Sequence, residues 1–199
     1  MPRAIHYYVM ANNVVDKILK KVLSDYRQAF TGKTYPEEND DLDPLMAVFG
    51  ITPGVKRENR QYWGRELGMC WQLLVSKLFS NQRADYQGPI QIEDDEPCDF
   101  RVGKDAVDTK YRVGSGDSGT LKKFKAYGKL LSERGYRPVV LLLREDNLPA
   151  AITACVTGGW TVFAGKNTFE YIRKEADFDL AEWLRVCESS GEFFITRRK

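Results

Sequence analysis

Histidine is almost absent from this sequence: His6 is the one histidine among 199 residues. A serine or cysteine hydrolase uses a histidine to activate its nucleophile, and a single histidine without a partner motif does not support such a site. The four cysteines include no CxxC pair, which argues against a structural zinc site. We expect them instead to be reduced thiols, most of them in apolar surroundings: Cys70, Cys98, Cys155 and Cys187.

Long apolar runs are also missing. No run approaches the roughly 18 residues that a membrane span requires, and no basic-plus-apolar signal stands near the N-terminus. We therefore expect a cytoplasmic protein with no membrane partner.

The chain also has little net charge, since the formal charge is only +2. The charges are unevenly distributed, however: residues 36–48 and 91–99 are acidic, and basic residues concentrate in 101–137. A basic surface beside carboxylates suits an enzyme that cuts phosphate esters, although a solvated helix surface has the same composition.

Apolar periodicity predicts an α/β domain with a mixed central β-sheet flanked by helices. A single domain is expected over 1–199, with a core at about 58–165, an N-terminal helical segment at 1–57 and C-terminal helices at 166–199. The predicted helices lie near residues 12–30, 58–79, 120–134, 147–156, 168–175 and 180–189. The predicted strands lie around residues 89–92, 100–102, 106–113, 138–143 and 160–163.

The most informative stretch is a predicted β-hairpin that turns at Gly103-Lys104. Glycine in the first central position suits a type II′ turn, which requires positive φ there. This turn pairs Val102 with Asp105 and sets Asp99 opposite Asp108. Lys110 follows two residues after Asp108 and shares its face of the strand. Two carboxylates and an ammonium at one place suit a divalent cation and a phosphate.

The predicted order αβββαβ, with Asp99 and the triplet Asp108-Thr109-Lys110 on adjacent strands, resembles the PD-(D/E)xK nuclease superfamily. The resemblance covers roughly residues 58–145. One residue is inserted in Pro97-Cys98-Asp99 relative to the usual Pro-Asp pair, and Asp108 stands where glutamate is commoner. The resemblance implies that Asp99, Asp108 and the carbonyl of Thr109 bind Mg²⁺, and that Lys110 acts beside the attacked phosphate.

The resemblance also implies an extra carboxylate from the preceding helix, for which Glu66 is the candidate. A helix-surface glutamate paired with Arg65 is the alternative. Lys110 is expected to have a depressed pKa if the lysine is partly desolvated.

The glycine-rich segment 114–119 lacks the GxxxxGK[ST] spacing of a nucleotide-binding loop. It suits a loop that approaches the DNA backbone and leads into a basic helix. A flexible turn before a solvated helix explains the same pattern. The candidate DNA contacts are Arg112, Ser115, Ser118, Lys122, Lys123 and Lys125.

Within this superfamily the chain most resembles a type II restriction endonuclease. That resemblance implies a homodimer that cuts a short double-stranded DNA site with Mg²⁺ as cofactor. The alternatives are a structure-selective nuclease, such as a junction resolvase or repair nuclease, a non-catalytic DNA-binding relative, and an α/β protein without a nucleic-acid role.

Overall fold

The computed structural model describes residues 17, 19–28, 31, 38–92, 95–114 and 118–195. The chain divides into two compact units, residues 1–37 and residues 38–199, so the predicted boundary at residue 57 lies inside the second unit. In the first unit the described residues are helical, which agrees with the helix predicted there. None of the described helices is both long enough and apolar enough to cross a membrane.

The second unit is an α/β fold on a four-stranded mixed sheet, ordered β1-β2-β3-β4. β1 runs antiparallel to β2, whereas β2, β3 and β4 are parallel to one another. The mixed sheet flanked by helices is confirmed. The strands are β1 (Phe100–Val102), β2 (Asp105–Lys110), β3 (Arg137–Leu142) and β4 (Thr161–Ala164).

The helices of this unit are α1 (Pro44–Phe49), α2 (Pro53–Glu58), α3 (Arg60–Gln82), α4 (Ser118–Glu133), α5 (Pro149–Thr157), α6 (Lys166–Ala176) and α7 (Leu180–Ser190). The sequence predicts α3 to α7 to within a few residues but does not predict α1 or α2. Each of these two short helices begins with a capping side chain, Asp43 or Thr52, that accepts hydrogen bonds from backbone amides of the first turn.

β3 lies at the centre of the core because both of its faces are covered. Val139 and Leu141 pack into the cluster that contains Trp71 of α3, and Val140 and Leu142 pack into the cluster on the opposite face. All four side chains are fully buried. Burial on both faces explains why this strand reads as a continuous apolar run.

The strand predicted around residues 89–92 is wrong. Gln87 forms an isolated bridge with Arg101, and Ile92 forms another with Asp95. Pro89 has no amide hydrogen to continue a ladder beyond Gln87. The first strand of the expected αβββαβ order is therefore reduced, within the described residues, to one bridging residue beside β1.

Candidate active site

The β1–β2 hairpin has the predicted register. Val102 pairs with Asp105, and Phe100 pairs with Val107. Gly103 has φ +55°, and Lys104 has no positive φ, as a type II′ turn requires. The amide of Asp99 donates to the carbonyl of Val107 at 2.8 Å, so the pairing continues one residue beyond β1.

Asp108 and Lys110 form an ion pair near the C-terminal end of β2. Lys110 Nζ lies 2.6 Å from Asp108 Oδ1 and 3.3 Å from the carbonyl oxygen of Thr109. The Asp108 side chain is only 9% exposed, whereas that of Lys110 is 41% exposed. A largely buried carboxylate therefore meets a cation that reaches solvent.

Asp99 lies next to this pair but bonds to other groups. Its Oδ2 accepts from the backbone amide of Thr109 at 2.7 Å and from Thr109 Oγ1 at 2.5 Å. Its Oδ1 accepts from Gln72 Nε2 of α3 at 2.6 Å. The Asp99 carboxylate therefore satisfies the backbone amide of Thr109 at the end of the hairpin.

The electrostatics still link all three charges. Burial raises the pKa of Asp108 to about 6, and the nearby carboxylate of Asp99 adds to the rise although Lys110 opposes it. Burial alone would lower the pKa of Lys110, but the charges of Asp108 and Asp99 outweigh that effect and raise it. The expected depression of the Lys110 pKa is therefore wrong, because the lysine faces two carboxylates.

The α3 side chain that contacts Asp99 is Gln72, not Glu66. The Glu66 carboxylate pairs with Arg65 at 2.8 Å. Six residues separate Glu66 from Gln72, so the two lie about 120° apart around the helix and about 9 Å apart along its axis. The structure thus places Glu66 on a different flank of α3 from the one that faces the hairpin.

The candidate DNA contacts fall into three groups. Arg112 Nε donates to the carbonyl and the carboxylate of Asp146, at 2.9 and 3.2 Å, so its guanidinium is bound within the chain. Lys123 pairs with Asp95 at 3.0 Å, and both side chains are more than half exposed. The remaining described candidates are exposed on α4, namely Ser118, Lys122 and Lys125. Ser115 lies outside the described residues.

A cavity of about 160 Å³ opens between the hairpin and α4. Asp108 and Lys110 line it from the strand, and Lys123 and Tyr127 line it from the helix. The ion pair is therefore reachable from the side of the sheet that carries the basic helix.

A second charged cluster lies beyond the ends of β2 and β3, where the sequence gives no local signal for it. Arg144 Nη1 donates to Asp43 Oδ2 at 3.0 Å, and the Tyr111 hydroxyl donates to the same oxygen. Lys56 Nζ donates to that hydroxyl at 2.5 Å, and burial lowers the pKa of Lys56. Glu38 pairs with Lys56, and Asp146 pairs with Arg144. These three hydrogen bonds join residues 55 to 101 positions apart and fix the segment before α1 onto the sheet.

No match was found when the chain was compared with protein-family models, curated proteins and solved structures. Within the part of the chain that the structure describes, no group of three or more histidine, cysteine, aspartate or glutamate side chains is arranged to hold a metal.

Proposed function

We propose that this chain is a Mg²⁺-dependent endonuclease that hydrolyses phosphodiester bonds in double-stranded DNA. One observation carries the proposal: the buried Asp108 carboxylate has a pKa of about 6 and is paired with Lys110. Asp99 lies beside this pair, directly before the neighbouring strand β1. A buried acid with a raised pKa, opening onto a cavity beside a cation, is typical of a catalytic site.

The residues present fit a magnesium ion. Asp99, Asp108 and the Thr109 carbonyl would hold it, since Mg²⁺ commonly takes one or two carboxylates and completes its shell with waters and phosphate oxygens. The ammonium of Lys110 already lies against Asp108 Oδ1 and the Thr109 carbonyl, which supports a preference for positive charge at this point. When bound, the ion would neutralise charge on the phosphate and lower the pKa of a water molecule.

Lys110 supplies a permanent positive charge to the reaction. Because its pKa is raised, the side chain stays protonated at neutral pH and does not act as a general base. Its exposed end can turn from Asp108 to a phosphoryl oxygen and stabilise the negative charge that develops there. Gln72 is a positioning residue, since it holds the Asp99 carboxylate from α3.

The basic face of α4 is the proposed DNA-binding surface. Lys122 and Lys125 are exposed there and suit contacts with phosphates, which position the duplex without reading its sequence. Arg112 is assigned to Asp146 rather than to DNA, because its guanidinium is already bound. By its resemblance, the proposed enzyme is a type II restriction endonuclease that acts as a homodimer, and we propose the cytoplasm as its location.

Incubation of plasmid and phage DNA with the protein, in Mg²⁺ or in EDTA, tests the proposal. Discrete fragments that depend on Mg²⁺ are expected. Cleavage confined to branched substrates would indicate a structure-selective nuclease instead. Binding without cleavage would contradict the catalytic proposal and indicate a DNA-binding relative.

A further inference from the structure

The outer face of α3 carries an apolar seam, defined here as Tyr62, Met69 and Leu73. Their exposed fractions are 44%, 54% and 58%. Their spacing of seven and four residues places them within about 40° of one another around the helix. The opposite face of the same helix is buried in the core through Leu67, Trp71, Val75 and Phe79.

When a helix has apolar residues on two opposite faces and only one of them is buried in the core, the other face is a candidate interface. A groove of about 420 Å³ follows the middle of the seam, and its lining combines apolar groups with one charge of each sign. The lining residues are Glu66, Met69, Cys70, Leu73, Leu74 and Lys77.

The two charges of the groove lie on the same flank of the seam. Glu66 and Lys77 are eleven residues apart, which places them within about 20° of each other around the helix. Arg65 bonds to Oε1 of Glu66, so among the described contacts Oε2 is left for another donor. No ion pair of Lys77 is found within the described residues.

This arrangement is complementary to itself when two copies of α3 run antiparallel. A two-fold axis perpendicular to the helices sets Met69 opposite Leu73 of the second copy, and Leu73 opposite Met69. The same register brings Glu66 to within one residue of Lys77 of the second copy, on the same flank, and does so twice. A parallel two-fold pair would instead place the charged flanks of the two copies on opposite sides of the seam, so neither Glu66 nor Lys77 would meet a charge of the second copy.

We propose that α3 packs antiparallel against α3 of a second copy of this chain, through the seam and the two symmetric Glu66–Lys77 pairs. This interface would join the two copies of the homodimer in the proposed function, on which it rests. It lies on the outer face of α3 and includes no residue of the Asp99, Asp108 and Lys110 site.

Sedimentation velocity over a range of protein concentrations, without DNA or Mg²⁺, tests the interface. The wild-type chain should sediment as a dimer of about twice 22.8 kDa, and Leu73→Glu should sediment as a monomer. Val156→Glu is the matched control, because Val156 is equally exposed, at 60%, but lies on α5. Circular dichroism should show the same helix content in all three proteins.

Charge reversal tests the register. Glu66→Lys and Lys77→Glu should each weaken dimerisation about tenfold, because each places like charges at two symmetric contacts. The double variant Glu66→Lys/Lys77→Glu should recover most of the wild-type affinity. A wild-type monomer at all concentrations, a Leu73→Glu dimer, or a double variant no tighter than the single ones would overturn the proposal.

The two proposals fail separately in these experiments. Lys110→Ala should sediment like the wild type, since Lys110 lies outside the seam, while its loss of cleavage tests the nuclease site. A dimer that cleaves no DNA would contradict only the proposed function. A monomer that cleaves DNA would contradict only the interface.

Discussion

At the scale of single residues, Asp108 is a buried carboxylate beside an exposed lysine. Burial disfavours its ionised form, and Lys110 offsets only part of that effect, so its pKa rises from the ordinary 3.8 to about 6. A group whose folded-state pKa is raised stabilises the fold below its unfolded pKa, and this contribution is lost as the pH rises through the folded value. Ionised Asp108 therefore lowers the free energy of unfolding at neutral pH.

Asp108→Asn should therefore raise the free energy of unfolding at pH 7.5 by about 1–3 kcal/mol, since the variant has no charge to bury. The gain should shrink between about pH 6 and pH 4, where the wild-type carboxyl becomes protonated. Urea denaturation at both ends of this range measures the difference. A variant less stable than the wild type at pH 7.5 would show that Asp108 is a structural ion-pair partner.

Gln72 gives a second prediction at the residue scale. Gln72→Met removes the amide that donates to Asp99 Oδ1 but keeps the length and helix propensity of the side chain. Because Gln72 is exposed, stability should change by less than about 0.5 kcal/mol. Cleavage should slow about tenfold, because Asp99 loses its contact with α3 and keeps only its bonds to Thr109. Single-turnover DNA cleavage measures the effect, and an unchanged rate would remove Gln72 from the site.

At the scale of elements, α4 packs closely against Gly158 and Trp160, which lie just before β4. A Cβ added at Gly128 would lie 2.2 Å from the carbonyl oxygen of Gly158 and 2.5 Å from Nε1 of Trp160. Trp160 Nε1 also donates to the carbonyl of Phe124 at 2.8 Å. These contacts hold the helix that lines the cavity beside Asp108 and Lys110.

Gly128→Ala should destabilise the fold by about 2 kcal/mol or more, because the added methyl group collides with backbone and a buried indole. Gly64→Ala is the matched control, since a Cβ at Gly64 of α3 meets nothing within 4 Å. That substitution should stabilise the fold by about 0.5–1 kcal/mol through helix propensity. Thermal unfolding should rank the control above the wild type and Gly128→Ala below it, and equal effects would refute the close packing.

The elements also show what the sequence can predict. The hairpin register follows from Gly103 because the turn is local, and β3 follows from an apolar run because it is buried on both faces. α1 and α2 each carry a local signal in the sequence, a capping Asp43 or Thr52 followed directly by proline. The bonds from Asp99 to Thr109 and Gln72 join separate elements, so spacing along the chain does not reveal them.

At the scale of the whole molecule, a nearly neutral chain gathers its charges into separate clusters. A carboxylate pair and a lysine meet at one end of the sheet, exposed lysines lie on α4 beside them, and the outer face of α3 carries the seam. The buried Arg144 and Asp43 cluster joins the segment before α1 to the sheet. The proposed enzyme thus separates its chemistry, its DNA contacts and its dimer interface onto different faces of one fold.

Single-turnover cleavage of DNA in Mg²⁺ by the wild type and Lys110→Ala tests the central claim most directly. Lys166→Ala is the control, because Lys166 is an exposed lysine of α6 paired only with the exposed Glu170 among the described residues. The account predicts Mg²⁺-dependent cleavage by the wild type and the control, and a loss of at least about a hundredfold in Lys110→Ala with the fold intact. Cleavage by Lys110→Ala at the wild-type rate would contradict it.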